Sequence, residues 1–355
     1  MTETAGSPAA ANLRSRIEAL EGSPGYQAYR AARDAVLRMQ AATADQRVSE
    51  YWLEELAGFE YMFDASPLLI DKLRHQTYHV TGLKVYDYRT GKDEMAERLA
   101  SKLDMLRQEG DPSLLVPEAR ELGGFGFEID GELYNVDTLK FFEVMIALDH
   151  GAVLPALRES GQRRLVWEIG AGWGGFARAF KTIAPNTTYL IVDLPELFLF
   201  SGTYLQTVFP EARIRYWAGE SAEELFAGWE EVDFVMVPAG ALEAARPPRL
   251  DLAINMVSFQ EMTSEQVRAY TAQAHALGAP FLYSLNRDRS LYNSGLTSVR
   301  EIIAERYRIH EIPVLDLPYT KLPKGGPGDT IDRVLSPLRD PKANEYRHVV
   351  GWRRP

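Results

Sequence analysis

The sequence predicts an α/β fold in which a mainly parallel sheet follows a largely helical N-terminal region. Two patterns predict it. From about residue 26 to residue 109, apolar residues recur at helical spacing, as in AYRAARDAVLRMQ. From about residue 154 onward, predicted strands alternate with predicted helices, which is typical of parallel strands joined by right-handed crossovers. We therefore divide the chain into a helical region over residues 1–123 and an α/β domain over residues 124–355.

The N-terminal region carries a helix-start signal and three aromatic stretches. Ser66 precedes Pro67, a pair that combines an N-cap with a proline in the first turn. Aromatic side chains cluster at residues 59–63, 78–79 and 86–88, and packing is their simplest interpretation. Three roles stay open for the region: a lid, a part of the substrate site, or a dimerisation surface that would make the protein a homodimer.

A hairpin leads into the α/β domain. Asp130-Gly131 separates two short apolar runs, and this dipeptide suits the tight turn whose twist matches paired strands. A helix is predicted after it, at residues 137–149.

The α/β domain follows as a series of alternating elements. Helices are predicted at residues 176–183, 197–209, 264–277 and 296–306, and strands at residues 164–169, 189–192, 214–217, 233–237, 251–256, 280–285, 309–315 and 347–352. The spacing of Thr263 and Gln266 is that of a capping box. The last two strands lack an intervening helix, which is typical of a hairpin with one antiparallel member. We expect a seven-stranded sheet, although one more segment than this qualifies as a strand. The Gly- and Pro-rich stretch 318–342 is predicted to be a surface loop or a lid.

Composition excludes several classes of function. The formal net charge of −11 argues against nucleic acid as a partner, because phosphate binding needs clustered Lys and Arg. The absence of cysteine excludes disulfides, thiolate catalysis and cysteine metal sites. No signal-peptide pattern and no apolar run of membrane-spanning length is present, so we expect a cytoplasmic protein without a membrane partner.

The sharpest motif is VWEIGAGWGG, where a strand runs into a helix. Its glycines let the backbone turn tightly around a ligand, and the following helix presents unpaired amides at its start. Asp193 ends the next strand, where a carboxylate can bind both hydroxyls of a ribose. The pattern predicts a nucleoside site with these cofactor-binding residues: Glu168, Gly170, Ala171, Gly172, Trp173, Asp193, Leu194, Pro238, Ala239, Asn255 and Met256.

Two kinds of cofactor that contain a nucleoside compete for this motif. Gly170, Gly172 and Gly175 fit G-x-G-x-x-G, which favours a dinucleotide such as NAD(P) and an oxidoreductase or epimerase. Glu168 favours S-adenosylmethionine, because a carboxylate ahead of the first glycine suits an ammonium group and would repel a pyrophosphate. A glycine-rich turn without a ligand is the third reading, but the acid-glycine-acid arrangement has no packing reason.

The motif in its context resembles that of class I S-adenosylmethionine-dependent methyltransferases over about residues 154–352. Over most of the chain, six stretches are similar, in order, to a family of bacterial sugar O-methyltransferases: YWLEELAGFEYMFD, YHVTGLKVYDYR, YNVDTLKFFEV, VWEIGAGWGGFA, VDLPEL and INMVSFQEMT. This resemblance implies the Rossmann-like class I fold, S-adenosyl-L-methionine as methyl donor, and a hydroxyl of a sugar or glycosylated small molecule as acceptor. Some sugar methyltransferases use magnesium bound by adjacent aspartates, but here arginines interrupt SLNRDR at 284–289, so we expect no metal.

Methyl transfer to a hydroxyl needs alignment and a group that removes the proton. Glu261 is one candidate base, because it follows the strand that ends at Met256, although a helix-start carboxylate would look the same. His79 is the rival, with a structural histidine as its simpler interpretation. Candidate substrate-binding residues are Tyr78, Tyr88, Tyr134, Gln260 and Asn286. A non-catalytic methyltransferase-like binding protein stays open beside the two enzyme classes.

Overall fold

The computed structural model of the chain describes residues 8–43, 56–58, 60–159, 161–243, 246–287, 298–314 and 346–354. Its α-helices, numbered in chain order, are α1 (Pro8–Glu21), α2 (Pro24–Ala42), α3 (Pro67–Ile70), α4 (Leu73–Gln76), α5 (Tyr78–Thr81), α6 (Asp93–Glu109), α7 (Val136–His150), α8 (Val153–Arg158), α9 (Gly175–Ile183), α10 (Phe198–Val208), α11 (Ala222–Leu225), α12 (Ser264–Ala276) and α13 (Val299–Ala304). Its strands are β1 (Phe127–Ile129), β2 (Glu132–Tyr134), β3 (Arg164–Ile169), β4 (Thr187–Asp193), β5 (Ile214–Tyr216), β6 (Phe234–Pro238), β7 (Leu252–Met256), β8 (Phe281–Arg287), β9 (Tyr307–Glu311) and β10 (Tyr346–Arg353). The predicted loop at 318–342 and Phe59 lie outside the described residues.

The central sheet confirms the predicted α/β fold. Its strand order is β5-β6-β4-β3-β7-β8-β10-β9, and the pairs from β5 through β8 are parallel. β10 runs antiparallel to both β8 and β9, which confirms one antiparallel member at the end of the sheet. The sheet has eight strands and not seven. All eight coincide with segments predicted to be strands, and the edge strand β5 pairs with β6 over three residues.

The N-terminal region is helical, as predicted, and it shares a core with the sheet. Ser23 caps α2 by accepting a hydrogen bond from the Tyr26 amide, and Pro24 occupies the first turn. One face of α2 is buried and packs against α10. A single hydrophobic cluster joins side chains of α2 and α6 to those of α7 and α10. The hydrophobic core therefore continues across residue 123, and the division of the chain there stays a prediction.

The hairpin and the helix after it are set by local signals. Asp130 and Gly131 both adopt positive φ angles, 53° and 83°, as a two-residue turn with matching twist requires. α7 begins at a capping box in which the side chains of Asn135 and Thr138 each accept from the other residue's backbone amide. Nearly all of α7 is buried, so this helix lies in the core and carries its polar residues inward.

Side chains alternate between the two faces of the sheet. On β4, Tyr189 and Ile191 join the cluster that includes α7 and α10, whereas Leu190 and Val192 join a second cluster on the opposite face. Both faces are thus covered, as a parallel sheet requires. No helix among the described residues is long and apolar enough to cross a membrane.

Candidate cofactor and acceptor site

A cavity of about 540 Å³ lies at the carboxyl ends of β3, β4, β6 and β7. β4 pairs with one side of β3 and β7 with the other, so the strand order reverses direction beside β3. Ligands of open α/β sheets bind at such switch points. Of the residues predicted from the sequence, the cavity is lined by Glu168, Gly170, Ala171, Gly172, Trp173, Asp193, Leu194, Ala239, Met256 and Glu261.

The glycine turn connects β3 to α9 and forms one wall of the cavity. Gly170 and Gly172 have φ angles of +74° and +57°, which L-residues with a side chain rarely adopt. A Cβ at Gly170 would collide with Ser258, and one at Gly172 would lie 2.7 Å from Val80 Cγ1. Glycine is therefore required here both by backbone conformation and by the close approach of two other segments.

Glu168 is a fully buried carboxylate at the end of β3. The Tyr189 hydroxyl donates to its Oε2 over 2.9 Å, whereas Oε1 has no hydrogen-bond partner. Burial raises the pKa of Glu168 to about 8, because removal from water penalises the charged form. A residue that lines the cavity thus has one buried carboxyl oxygen without a hydrogen-bond partner.

Asp193 stabilises the glycine turn, and both of its carboxylate oxygens accept hydrogen bonds. Its Oδ2 accepts from the Gly172 amide over 2.7 Å, and its Oδ1 accepts from the Leu194 amide over 2.8 Å. Burial nevertheless raises its pKa to about 7, although these backbone donors act in the opposite direction. Each carboxylate oxygen has two lone pairs, so Asp193 can hold the turn and still accept from ligand hydroxyls.

The end of β7 approaches the turn from the other side. Asn255 donates to the carbonyl of Ile169 and to Ser258, and its oxygen accepts from the Phe259 amide and from Asn286. These bonds engage the full capacity of its amide, so Asn255 supports the turn from below and does not line the cavity. Pro238 likewise ends β6 without lining it, whereas Ala239 does line it.

Val257 is a residue whose conformation the sequence does not reveal. It lines the cavity with a φ of +66°, in the left-handed region that β-branched residues avoid. Its amide donates to the Leu285 carbonyl of β8 over 2.8 Å. Backbone in such regions costs free energy and concentrates at functional sites.

The two candidate bases occupy different positions. Glu261 is half-buried, ends a 3₁₀ turn at Phe259–Glu261 and lines the cavity. His79 lies on α5, where its ring stacks on Tyr78 at 3.8 Å between centroids. It does not line the cavity, although Val80 and Thr81 after it do. Which of the two acts as a base stays a prediction.

The residues predicted to bind substrate do not line the cavity as the structure describes it. The Tyr88 hydroxyl accepts from the Val136 amide, and Tyr134 is buried on β2 beneath Arg107. Tyr78 is 40% exposed. Gln260 and Asn286 are buried, and the backbone amide of Gln260 donates a hydrogen bond to Asn286 Oδ1. The substrate roles of all five stay predictions.

Sequence reasoning missed two cations near the glycine turn. Lys140 of α7 lines the cavity beside Glu168. Arg74 is buried with its guanidinium 3.7 Å from the Trp173 ring, and it donates to Glu118 and Asp137. Lys140 lies between Leu139 and Phe141-Phe142, and a cation among these apolar residues is a signal that could have pointed to it. The described residues contain no group of three His, Cys, Asp or Glu arranged to hold a metal ion.

Neither a family model nor a curated protein matches the sequence of this chain. Several solved structures share part of the chain path. The N-methyltransferase NodS from Bradyrhizobium japonicum WM9 in complex with S-adenosylhomocysteine is 15% identical, with a TM-score of 0.35, over 58% of this chain and 86% of that one. An O-methyltransferase family protein from Burkholderia thailandensis is 13% identical, with a TM-score of 0.34, over 61% of this chain and 59% of that one.

A third similar structure is the precorrin-6y C5,15-methyltransferase from Geobacter metallireducens GS-15, which is 13% identical with a TM-score of 0.34, over 57% of this chain and 88% of that one. Identities and scores this low transfer no activity to the chain. Only the residues of the cavity therefore indicate the function.

Proposed function

We propose that this chain is an S-adenosylmethionine-dependent methyltransferase with its cofactor site in the cavity around Glu168. The observation that carries the proposal is the buried Oε1 of Glu168, which has no hydrogen-bond partner. Buried polar atoms without partners are rare, and an ammonium group would supply the missing donor and the opposite charge. The positive charge of an ammonium would also favour the ionised form of Glu168, whose pKa burial raises. An ionised pyrophosphate offers this oxygen no N–H or O–H donor and would repel the ionised forms of Glu168 and Asp193, which disfavours a dinucleotide.

The residues of the cavity fit the separate parts of this cofactor. Glu168 would bind the ammonium of the amino-acid part, and Asp193 would accept hydrogen bonds from the ribose hydroxyls. Ala239 and Leu194, beyond the ends of β6 and β4, would contact the adenine ring. When bound, S-adenosylmethionine supplies a methyl group carried by a positively charged sulfur.

For the acceptor we propose a hydroxyl of a sugar or glycosylated small molecule. Glu261 supports this choice, because a carboxylate on the cavity wall can take the hydroxyl proton as the oxygen receives the methyl group. The apolar part of the cavity wall, which includes the buried side chains of Trp173 and Phe176, would help to exclude water from the reacting groups.

Calorimetry tests the cofactor assignment. The wild-type chain is expected to bind S-adenosylhomocysteine at one site and to leave NAD unbound. Glu168→Gln should weaken this binding by roughly 10- to 100-fold, which corresponds to the loss of a charged hydrogen bond. Glu223→Gln, at an exposed carboxylate outside the cavity, is the matched control and should bind as the wild type does. Binding of NAD, without binding of S-adenosylhomocysteine, would contradict the proposal.

Methyl transfer to a panel of sugars and glycosides tests the acceptor and the base. Glu261→Gln is expected to lower kcat by about 10²- to 10⁴-fold, the usual contribution of general base catalysis, with unchanged affinity for S-adenosylhomocysteine. His79→Ala is the comparison and should retain most of the activity. The opposite pattern, with loss only in His79→Ala, would transfer the base role to the histidine.

A further inference from the structure

Lys140 shares the cavity with Glu168 but comes from a different element. It projects from the second turn of α7, whereas Glu168 lies one residue before the end of β3. Both side chains line the same cavity. Burial raises the pKa of Glu168, and the charge of Lys140 acts in the opposite direction. One cavity therefore presents an acidic and a cationic side chain.

The position of Lys140 is fixed by a buried ion-pair network. Its Nζ lies 3.0 Å from Asp137 Oδ1, and the other oxygen of Asp137 accepts from Arg74 Nη2 over 2.9 Å. Burial alone would raise the pKa of Asp137, but Lys140 and Arg74 reverse this effect and hold it below its ordinary value. Asp137 is therefore a charged anchor that sets where the lysine ammonium lies.

We propose that Lys140 binds the carboxylate of the cofactor's amino-acid end, so that Glu168 and Lys140 together form a subsite for an α-amino acid. This inference rests on the proposed function. An α-amino acid carries an ammonium and a carboxylate on one carbon, and the cavity offers one group of each complementary charge. The ammonium of lysine has three N–H donors, so it can keep its bond to Asp137 while it donates to a ligand. Asp137 is then a positioning residue that acts through Lys140.

A double-mutant cycle between protein and ligand tests this subsite. The ligands are S-adenosylhomocysteine and its decarboxylated analogue, which keeps the amine, the sulfur and the adenosine. Lys140→Met is expected to weaken binding of S-adenosylhomocysteine by about 10- to 100-fold and to leave binding of the analogue unchanged. Lys140→Arg should retain most of the affinity for both. Glu168→Gln should weaken both ligands, because both carry the amine.

Controls separate a binding role from a structural one. Lys140→Gln keeps an N–H for Asp137 while it removes the charge, so it serves if Lys140→Met does not fold, and the same selective loss is expected. Lys84→Met, at an exposed lysine outside the cavity, should bind both ligands normally. Equal losses for the two ligands in the Lys140 variants would overturn the inference and leave the proposed function intact. Failure of the wild-type chain to bind S-adenosylhomocysteine would overturn both.

Discussion

Glu168 combines full burial with one oxygen that lacks a partner, and this makes the stability of the chain depend on pH. Its pKa is raised from 4.5 to about 8 by burial. An acid with a raised folded-state pKa holds a proton in the folded chain that it has lost in the unfolded chain. The stabilisation that follows is complete below about pH 4.5 and is lost as the pH rises through about 8.

The free energy of unfolding should reveal this linkage. Between about pH 5 and pH 9, it is expected to fall more steeply for the wild type than for Glu168→Gln, because the amide stays neutral throughout. Urea titrations across this range measure both slopes. Asp193, whose raised pKa of about 7 acts in the same direction, is present in both proteins. Parallel slopes would mean that Glu168 titrates as an ordinary carboxyl.

At the scale of elements, the glycine turn should be more sensitive than other turns with positive φ. Gly172→Ala is expected to cost about 1–2 kcal/mol for the left-handed backbone, plus the contact with Val80, and to weaken cofactor binding. Gly278→Ala is the control, since its φ is +81° but nothing lies within 4 Å of an added Cβ. Thermal unfolding and calorimetry of the two variants separate backbone strain from the collision. An equal cost in both variants would exclude the collision.

The elements that the sequence predicted correctly are those specified by short stretches of chain. The Asp130-Gly131 turn, the capping box at Thr263 and the strand-to-helix glycine turn each depend on residues a few positions apart. Glu168 and Asp193 are far apart in the chain, but their placement at one cavity could be predicted, because parallel strands bring their carboxyl ends to one edge of the sheet.

Features that depend on distant residues were missed. Arg74 meets Glu118 and Asp137 across 44 and 63 positions of the chain, and no periodic pattern encodes such pairs. The hydrogen bonds of Tyr88 and Asn286 depend on neighbours from other elements in the same way. Val257 carries no signal at all, since a β-branched residue is the least suited to its backbone conformation.

At the scale of the whole molecule, Arg74 connects the N-terminal region to the glycine turn. Its guanidinium contacts Trp173 and forms ion pairs with Glu118 and Asp137, and all of these residues are buried. Arg74→Met would leave two carboxylates buried without this cation, so we expect a loss of about 3–5 kcal/mol in the free energy of unfolding.

An exposed ion pair provides the comparison for Arg74→Met. Arg268 pairs with Glu305 at the surface, and Arg268→Met should cost less than about 1 kcal/mol. Urea unfolding of the two variants measures the difference. A loss for Arg74→Met no larger than that of the surface variant would mean that the buried carboxylates become protonated at little cost.

The position of β3 within the sheet has a consequence for kinetics. This strand is bonded to a neighbour on each side, its side chains are almost entirely buried, and Glu168 lies near its end. Amide hydrogens of so enclosed a strand exchange with solvent only when the whole domain unfolds. We therefore expect deuterium uptake along β3, and along the equally enclosed β4, to be slower than at the edges of the sheet. The floor of the cavity should then keep one shape each time a ligand binds and leaves.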